Sequence, residues 1–109
     1  MAVNGVHKSD LQKLLKWLKY SRFSGSEPAM EQYFIQSFHL SSRTIGAITH
    51  NGYITEDTLE KAAYCIKVAC MRASNGDFRG VCNVAGVSPA NCASLEAVGE
   101  DQYIFARRW

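Results

Sequence analysis

The sequence predicts a mainly α-helical protein, a small helical bundle that ends in a short C-terminal β-strand or hairpin. Its 109 residues suffice for one domain with a real hydrophobic core. Apolar residues recur at the three- and four-residue spacing of a helical face. Hydrophobic residues make up 47% and charged residues 20%, which excludes a disordered or fibrous chain. We expect residues 1–109 to form a single domain, with core helices in 9–76 and a less regular part in 77–109.

Residues 10–22 form the first predicted helix. Its four leucines fall at i, i+3, i+4 and i+7, so they share one face. They are Leu11, Leu14, Leu15 and Leu18. Ser9 or Asp10 is predicted to cap the N-terminus. The stretch FSGSEP at 23–28 then ends the helix, because glycine and proline interrupt helical periodicity.

Three further helices are predicted in the middle of the chain. Residues 28–38 form the first of these, and a shorter element follows until Asn51-Gly52, a pair that tolerates the left-handed conformation closing many helices. Residues 54–76 show the clearest helical pattern, with Thr55 as N-cap and acidic residues in the first turn.

The C-terminal third allows two interpretations. Residues 77–98 suit two short helices around a turn at 86–88, and we expect a helix at 88–98. Residues 102–108 have strand propensity and are predicted to form the C-terminal strand. Alternatively, residues 92–109 form a β-hairpin.

Basic side chains concentrate in the N-terminal half of the chain. The formal net charge of +2 does not by itself indicate a nucleic acid as partner. Residues 7–22, however, carry four lysines and one arginine against a single aspartate, and residues 32–55 hold no carboxylate. We therefore expect a polyanion to bind this half, although a solvated lysine-rich helix face explains the same pattern.

The first candidate helix-turn-helix segment is FIQSFHLSSRTIGAITHNG, residues 34–52. Its apolar positions suit two packed helices, with Ser41 as the second N-cap and His39 at the turn, where glycine is usual. Residues 28–70 resemble the recognition unit of the lambda-repressor/Cro-like regulators. In this resemblance the outward positions are Ser42, Arg43, Thr44, Ala47 and His50.

The second candidate segment is FRGVCNVAGVSPANCASLEAVG, residues 78–99. Its stretch AGVSPA, residues 85–90, resembles the turn of many bacterial repressors. The outward positions would be Ser88, Ala90, Asn91 and Ser94, which bring no positive charge. The first segment is therefore expected to make the DNA contact, because phosphate contacts supply most of the affinity. Helix packing without DNA binding remains open for both segments.

The four cysteines predict buried thiols and not a metal site. They contain no CxxC pair, and the three histidines lie far upstream of them. The cysteines are Cys65, Cys70, Cys82 and Cys92. Because no catalytic set can be assembled from the sequence, we expect no enzymatic activity, no metal and no cofactor.

Together these features predict a small DNA-binding transcriptional regulator of bacterial, phage or plasmid type. Duplex DNA is the expected partner, and a homodimer is expected because such regulators read two half-sites. The apolar C-terminal strand would be the dimer edge. The expected DNA-binding residues are Lys13, Lys16, Lys19, Arg22, Ser41, Ser42, Arg43, Thr44, His50, Ser88, Asn91, Arg107 and Arg108.

The alternative is a non-enzymatic inhibitor or adaptor encoded by a phage or mobile element. It would bind a host protein through exposed aromatic side chains, for which the candidates are Trp17, Tyr20, Tyr103 and Trp109. For either function we expect a cytoplasmic protein without membrane contact, because the N-terminal stretch MAVNGVHKSD lacks the apolar segment of a secretory signal.

Overall fold

The structure, a computed structural model, describes residues 2–3 and 5–99 and confirms the mainly α-helical fold class. Within these residues a short antiparallel hairpin precedes six helices. The elements are β1 (Ala2–Val3), β2 (Val6–His7), α1 (Lys8–Arg22), α2 (Glu27–Phe38), α3 (Ser42–Thr49), α4 (Glu56–Ala73), α5 (Phe78–Ala85) and α6 (Pro89–Glu96). None of these helices is long and apolar enough to span a membrane.

Helix α1 is the element around which the other helices assemble. Its four predicted core leucines are buried, and α1 packs mainly against α4. The facing surface of α4 combines Leu59 and Ile66 with small residues, including Ala62 and Ala63, that let the two helices approach closely. The leucine periodicity therefore predicted the core face of α1 correctly.

The two predicted helix-turn-helix segments lie on different flanks of α1. The Gln12 amide donates to the Ile48 carbonyl of α3, at 2.9 Å. The Lys13 ammonium lies 3.3 Å from the Gly86 carbonyl, in the turn between α5 and α6. Because successive helical residues point about 100° apart, these contacts place α2–α3 and α5–α6 on separate sides of the α1 surface.

Local sequence signals define most helix boundaries. The side chains of five N-caps accept a hydrogen bond from a backbone N–H three residues on. Asp77 is one of them, and serine or threonine supplies the other four. These caps are Ser26, Ser41, Thr55 and Ser88. Both helix-turn-helix turns begin with a left-handed residue, namely His39 with φ of 57° and Gly86 with φ of 91°.

The predicted start of α1 is wrong. The helix begins at Lys8, and its N-cap, His7, makes no side-chain capping bond. Neither Ser9 nor Asp10 caps it, because the β1–β2 hairpin runs directly into the first turn and already fixes the direction of entry. The hairpin itself was not predicted, since two-residue strands carry no readable periodicity.

Asp10 and Asn91 form a partly buried bridge between α1 and α6. The Asn91 Nδ2 donates to the Asp10 Oδ2 at 2.9 Å, and Asp10 is only 3% exposed. Lys13 lies 3.8 Å from the same carboxylate. The prediction that Asn91 points outward is therefore wrong, because a buried carboxylate needs hydrogen-bond donors and Asn91 is one of them.

Lys67 connects α4 to the end of α6. Its ammonium donates to the backbone carbonyls of Glu96 and Val98, and so satisfies acceptors that a helix C-terminus leaves unpaired. Burial lowers the pKa of Lys67, and the nearby Glu96 carboxylate partly offsets that effect.

Some of the elements expected in the C-terminal third lie within the described residues and others lie outside them. The helix expected at 88–98 is confirmed as α6, with Ser88 as its N-cap, and the hairpin alternative beginning at residue 92 is wrong. The strand predicted at 102–108, with the expected dimer edge, lies outside the described residues.

Replacing Asn91 by alanine should destabilise the fold. Asn91→Ala removes a donor from the buried Asp10 carboxylate, which should lower the free energy of unfolding by about 1–3 kcal/mol in urea denaturation. Asn83→Ala, which removes an exposed amide on α5, is the matched control and should stay within about 0.5 kcal/mol of the parent. Equal stabilities of the two variants would show that the Asp10–Asn91 bridge does not contribute.

Candidate nucleic-acid interface

Helix α3 presents a polar, acid-free face to solvent. Ile45 and Ile48 are fully buried and anchor its inner side, whereas Ser42 and Arg43 are exposed in its first turn. Gly46 lies in the middle of the helix, and a Cβ added there would meet no atom within 4 Å. The outer surface of α3 therefore has an arginine at one end and an unobstructed backbone at its centre.

The turn before α3 accommodates a histidine in place of glycine. His39 donates its N–H to the Ile35 carbonyl at 3.0 Å, and the Leu40 N–H lies 3.3 Å from the Phe34 carbonyl. These bonds close α2 in the manner of a left-handed C-cap. The His39 side chain is exposed while Leu40 is buried, so the bulk of the imidazole does not interfere with helix packing.

The N-cap of α3 uses the hydroxyls of two predicted DNA-binding residues. The Ser41 Oγ accepts from the Thr44 N–H at 3.1 Å and lies 3.0 Å from the Thr44 hydroxyl. These groups hold the first turn of α3 in place. Ser41, Ser42 and Arg43 are exposed and Thr44 is half-buried, but Ser42 and Arg43 are the two whose side chains take no part in the cap.

Two lysines of α1 lie beside the C-terminal end of α3. Lys16 and Lys19 border a cleft of about 250 Å³ together with Thr49 of α3 and Met30 of α2. Lys16 is exposed, and the Lys19 ammonium lies 5.1 Å from the Tyr20 ring centroid. Arg22, one turn further along α1, is also exposed. The structure thus places positive charge at both ends of α3.

His50 and Lys13 have partners within the chain. The His50 Nε2 lies 2.8 Å from the Glu27 carboxylate, which ties the end of α3 to the start of α2. Lys13 contacts Asp10 and the Gly86 carbonyl on the α5–α6 side. Lys13 therefore lies on the other flank of α1 from Arg43. His50 follows Arg43 by about two helical turns on the same side of α3, but its imidazole is paired with Glu27.

Tyr53 was not among the predicted site residues. It is 85% exposed and borders a cleft of about 260 Å³ with Arg43, Thr55 and Thr58, between α3 and the start of α4. The sequence signal that would have found it is its position directly after the Asn51-Gly52 turn, since an aromatic residue there has no helical face to bury it.

The second segment forms a helix-turn-helix with little positive charge. Helices α5 and α6 enclose a groove of about 350 Å³ whose inner wall includes Cys82, Val87 and Cys92. At its rim the Arg79 guanidinium pairs with the Glu96 carboxylate at 3.2 Å. The Ser88 hydroxyl caps α6, and Arg107 and Arg108 lie outside the described residues.

The cysteines are buried thiols, as predicted. All four are buried. Burial raises the pKa of Cys70 to about 12. Burial raises the pKa of Cys82 as well, and its contact with Cys92 adds to that effect. Across residues 5–99, no three histidine, cysteine or acidic side chains gather in a way that would hold a metal ion.

Comparison with known proteins gives no relative. No protein-family model, curated protein or solved structure matches this chain.

The thiols should be inert in the folded protein. A thiol must ionise to attack an electrophile, and burial both raises its pKa and blocks access. We expect all four cysteines to react slowly with an aromatic disulfide reagent under native conditions and fully in denaturant. Rapid reaction of one thiol in the native protein would contradict this assignment and would indicate an accessible, nucleophilic cysteine.

Proposed function

We propose that this protein binds duplex DNA through α3 and acts as a transcriptional regulator. The observation that carries the proposal is the exposed, acid-free first turn of α3, where Arg43 extends beside an unobstructed Gly46. A guanidinium is well suited to reading guanine in the major groove. Helix α3 therefore offers a duplex an accessible surface and a side chain that can hydrogen-bond to a base.

The dimensions of α3 support this mode of binding. An α-helix with its side chains is about 10–12 Å in diameter, close to the width of the major groove, and the eight residues of α3 give it about two turns of length to lie there. Helix α2 and α1 support it from behind through Ile45 and Ile48. A short helix held in this way can enter the groove without rearrangement of the core.

The charge around α3 supports the same orientation. Lys16 and Lys19 of α1 lie beside the C-terminal end of α3 and would contact phosphates. Arg22 lies further along α1, beside Tyr33 and Arg72, and would extend this contact away from α3. Phosphate contacts orient a protein on DNA, and base contacts supply the sequence specificity. The modest net charge of the whole chain is therefore compatible with a local basic surface.

The alternative, an inhibitor or adaptor of a host protein, receives less support. It needs Trp17 and Tyr20 to form an exposed aromatic surface. Tyr20 is 63% exposed, but Trp17 is half-buried against the hydrophobic core. The other two aromatic candidates, Tyr103 and Trp109, lie outside the described residues.

Arg43→Ala should weaken DNA binding without loss of structure. We expect fluorescence anisotropy with a duplex that the parent protein has selected from a random-sequence pool to report an affinity about ten- to hundredfold lower, the loss typical of one base-reading contact. Lys16→Ala should cause a smaller loss and reduce the salt slope by about one. Arg79→Ala removes an equal charge from α5, on the other flank of α1, and should retain parental binding.

The salt dependence of duplex binding and the comparison of the variants can each contradict the proposal. If the parent does not bind duplex at about 50 mM salt, or binds equally well at about 200 mM, the electrostatic basis of the proposal fails. Equal losses in the Arg43→Ala and Arg79→Ala variants would also exclude α3 as the contact. Circular dichroism of each variant establishes that the helices are intact.

Substitutions at Gly46 separate folding from binding. Gly46→Ala should raise the free energy of unfolding by about 0.5–1 kcal/mol, because the methyl group meets no neighbour and alanine favours helix. Gly46→Glu should remain folded and lose DNA binding, since its carboxylate would face the phosphates. If Gly46→Glu binds duplex as the parent does, α3 does not enter the groove.

A further inference from the structure

The groove between α5 and α6, of about 350 Å³, has an apolar lining that is open to solvent. Val87, in the turn between the two helices, is buried at its floor. Pro89 and Ala93 of α6 line it with exposed side chains. Because burial of apolar surface is favourable in water, the groove suits an occupant that brings apolar side chains of its own.

The charged side chains at this groove neutralise each other. Among the described residues that line it, Arg79 and Glu96 are the charged ones, and the Arg79 Nε lies 3.2 Å from the Glu96 carboxylate. Attraction of a polyanion or of a charged small molecule needs an excess of one sign of charge, which this lining does not offer. The groove is therefore better suited to an uncharged, apolar stretch of polypeptide.

The chain itself supplies such a stretch directly after the groove. Glu96, the last residue of α6, borders the groove, and two residues later the Lys67 ammonium holds the Val98 carbonyl. Residues 100–109 follow, and they contain the uninterrupted apolar run YIF at residues 103–105. Because Lys67 fixes the point from which this segment departs, the apolar run starts close to the groove.

The distances allow the apolar run to reach the whole groove. Tyr103 follows Val98 by five residues, and an extended chain covers about 3.3 Å per residue, or about 17 Å for these five. The eight residues of α6 extend for about 12 Å. The intervening residues 99–102, one glycine and three polar residues, can therefore reverse the chain direction. If the run is extended, Tyr103 and Phe105 point to the same side of it.

We propose that residues 103–105 dock in the α5–α6 groove of their own chain, with Tyr103 and Phe105 packed against Val87 and Ala93. Burial of the two rings on the apolar lining stabilises this contact. A segment on a short linker has an effective concentration in the millimolar range, so in dilute solution it binds in preference to the same segment of a second copy. The proposal replaces the dimer edge expected for this segment and does not rest on the proposed DNA binding.

The test is an NMR measurement of nuclear Overhauser effects in the isotope-labelled full chain. We expect cross-peaks from the ring protons of Tyr103 or Phe105 to the methyl groups of Val87 and Ala93. An isotope-filtered experiment on a mixture of labelled and unlabelled protein should show none of them, because the contact lies within one chain. Cross-peaks in the filtered experiment would assign the contact to a second copy, and their absence from both experiments would show that the segment does not dock there. Either result overturns the proposal.

Two matched substitutions on α6 test the groove itself. Ala93→Arg places a long, charged side chain in the groove and should abolish the cross-peaks. Ala90→Arg adds the same side chain at an exposed position of α6 that does not line the groove, and it should retain them. Unchanged amide shifts in α1–α4 establish that both variants are folded. Parental cross-peaks from Phe105 to Val87 in Ala93→Arg, or equal losses in the two variants, would overturn the assignment.

A substitution in the segment leaves α6 itself unchanged. Phe105→Ser should shift the amide resonances of residues 82–96, which lie at the groove, and leave those of α2 and α3 as in the parent. Gln102→Ser, outside the apolar run, is the control and should leave the resonances of both regions unchanged. Parental resonances of α5 and α6 in Phe105→Ser would show that the ring is not docked and would overturn the proposal.

Discussion

The burial of the leucine face of α1 against α4 is the constraint on which the rest of the structure depends. The leucines fix the rotation of α1 about its axis, and this rotation assigns Gln12 to one flank and Lys13 to the other. Helix α3 docks on the first flank and the α5–α6 turn docks on the second. A change that rotated α1 would therefore displace both helix-turn-helix units together.

This arrangement explains how a chain with little net charge can present a basic surface. The acid-free segment and the lysines of α1 are separate in sequence, and α1 brings them together because α3 packs along the flank that carries Lys16 and Lys19. Two acidic residues of the N-terminal half are engaged within the protein. Glu27 pairs with His50, and Asp10 is buried against Asn91.

Much of the fold could be predicted because its signals are local. The leucine spacing in α1, the Ser41 and Thr55 caps and the Asn51-Gly52 stop all depend on neighbours within one helical turn, and the structure confirms them. The hairpin could not be predicted, because two-residue strands carry no readable periodicity. The Asp10–Asn91 bridge could not be predicted, because its partners are distant in sequence. The Asp10 side chain resembles a helix cap until the position of α6 is known.

The candidate site was predictable only in part for the same reason. The exposure of Arg43 follows from helical periodicity around Ile45 and Ile48. The accessibility of Gly46 and the exposure of Tyr53 depend on which helices cover α3, and no local pattern reports that.

The most direct test of the account is which surface a duplex contacts. In an amide-shift titration of the labelled protein with duplex DNA, residues 42–46 of α3 should change first and most, followed by the lysines of α1. Changes confined to α5 and α6, with α3 unaffected, would contradict the account and assign the contact to the other flank of α1.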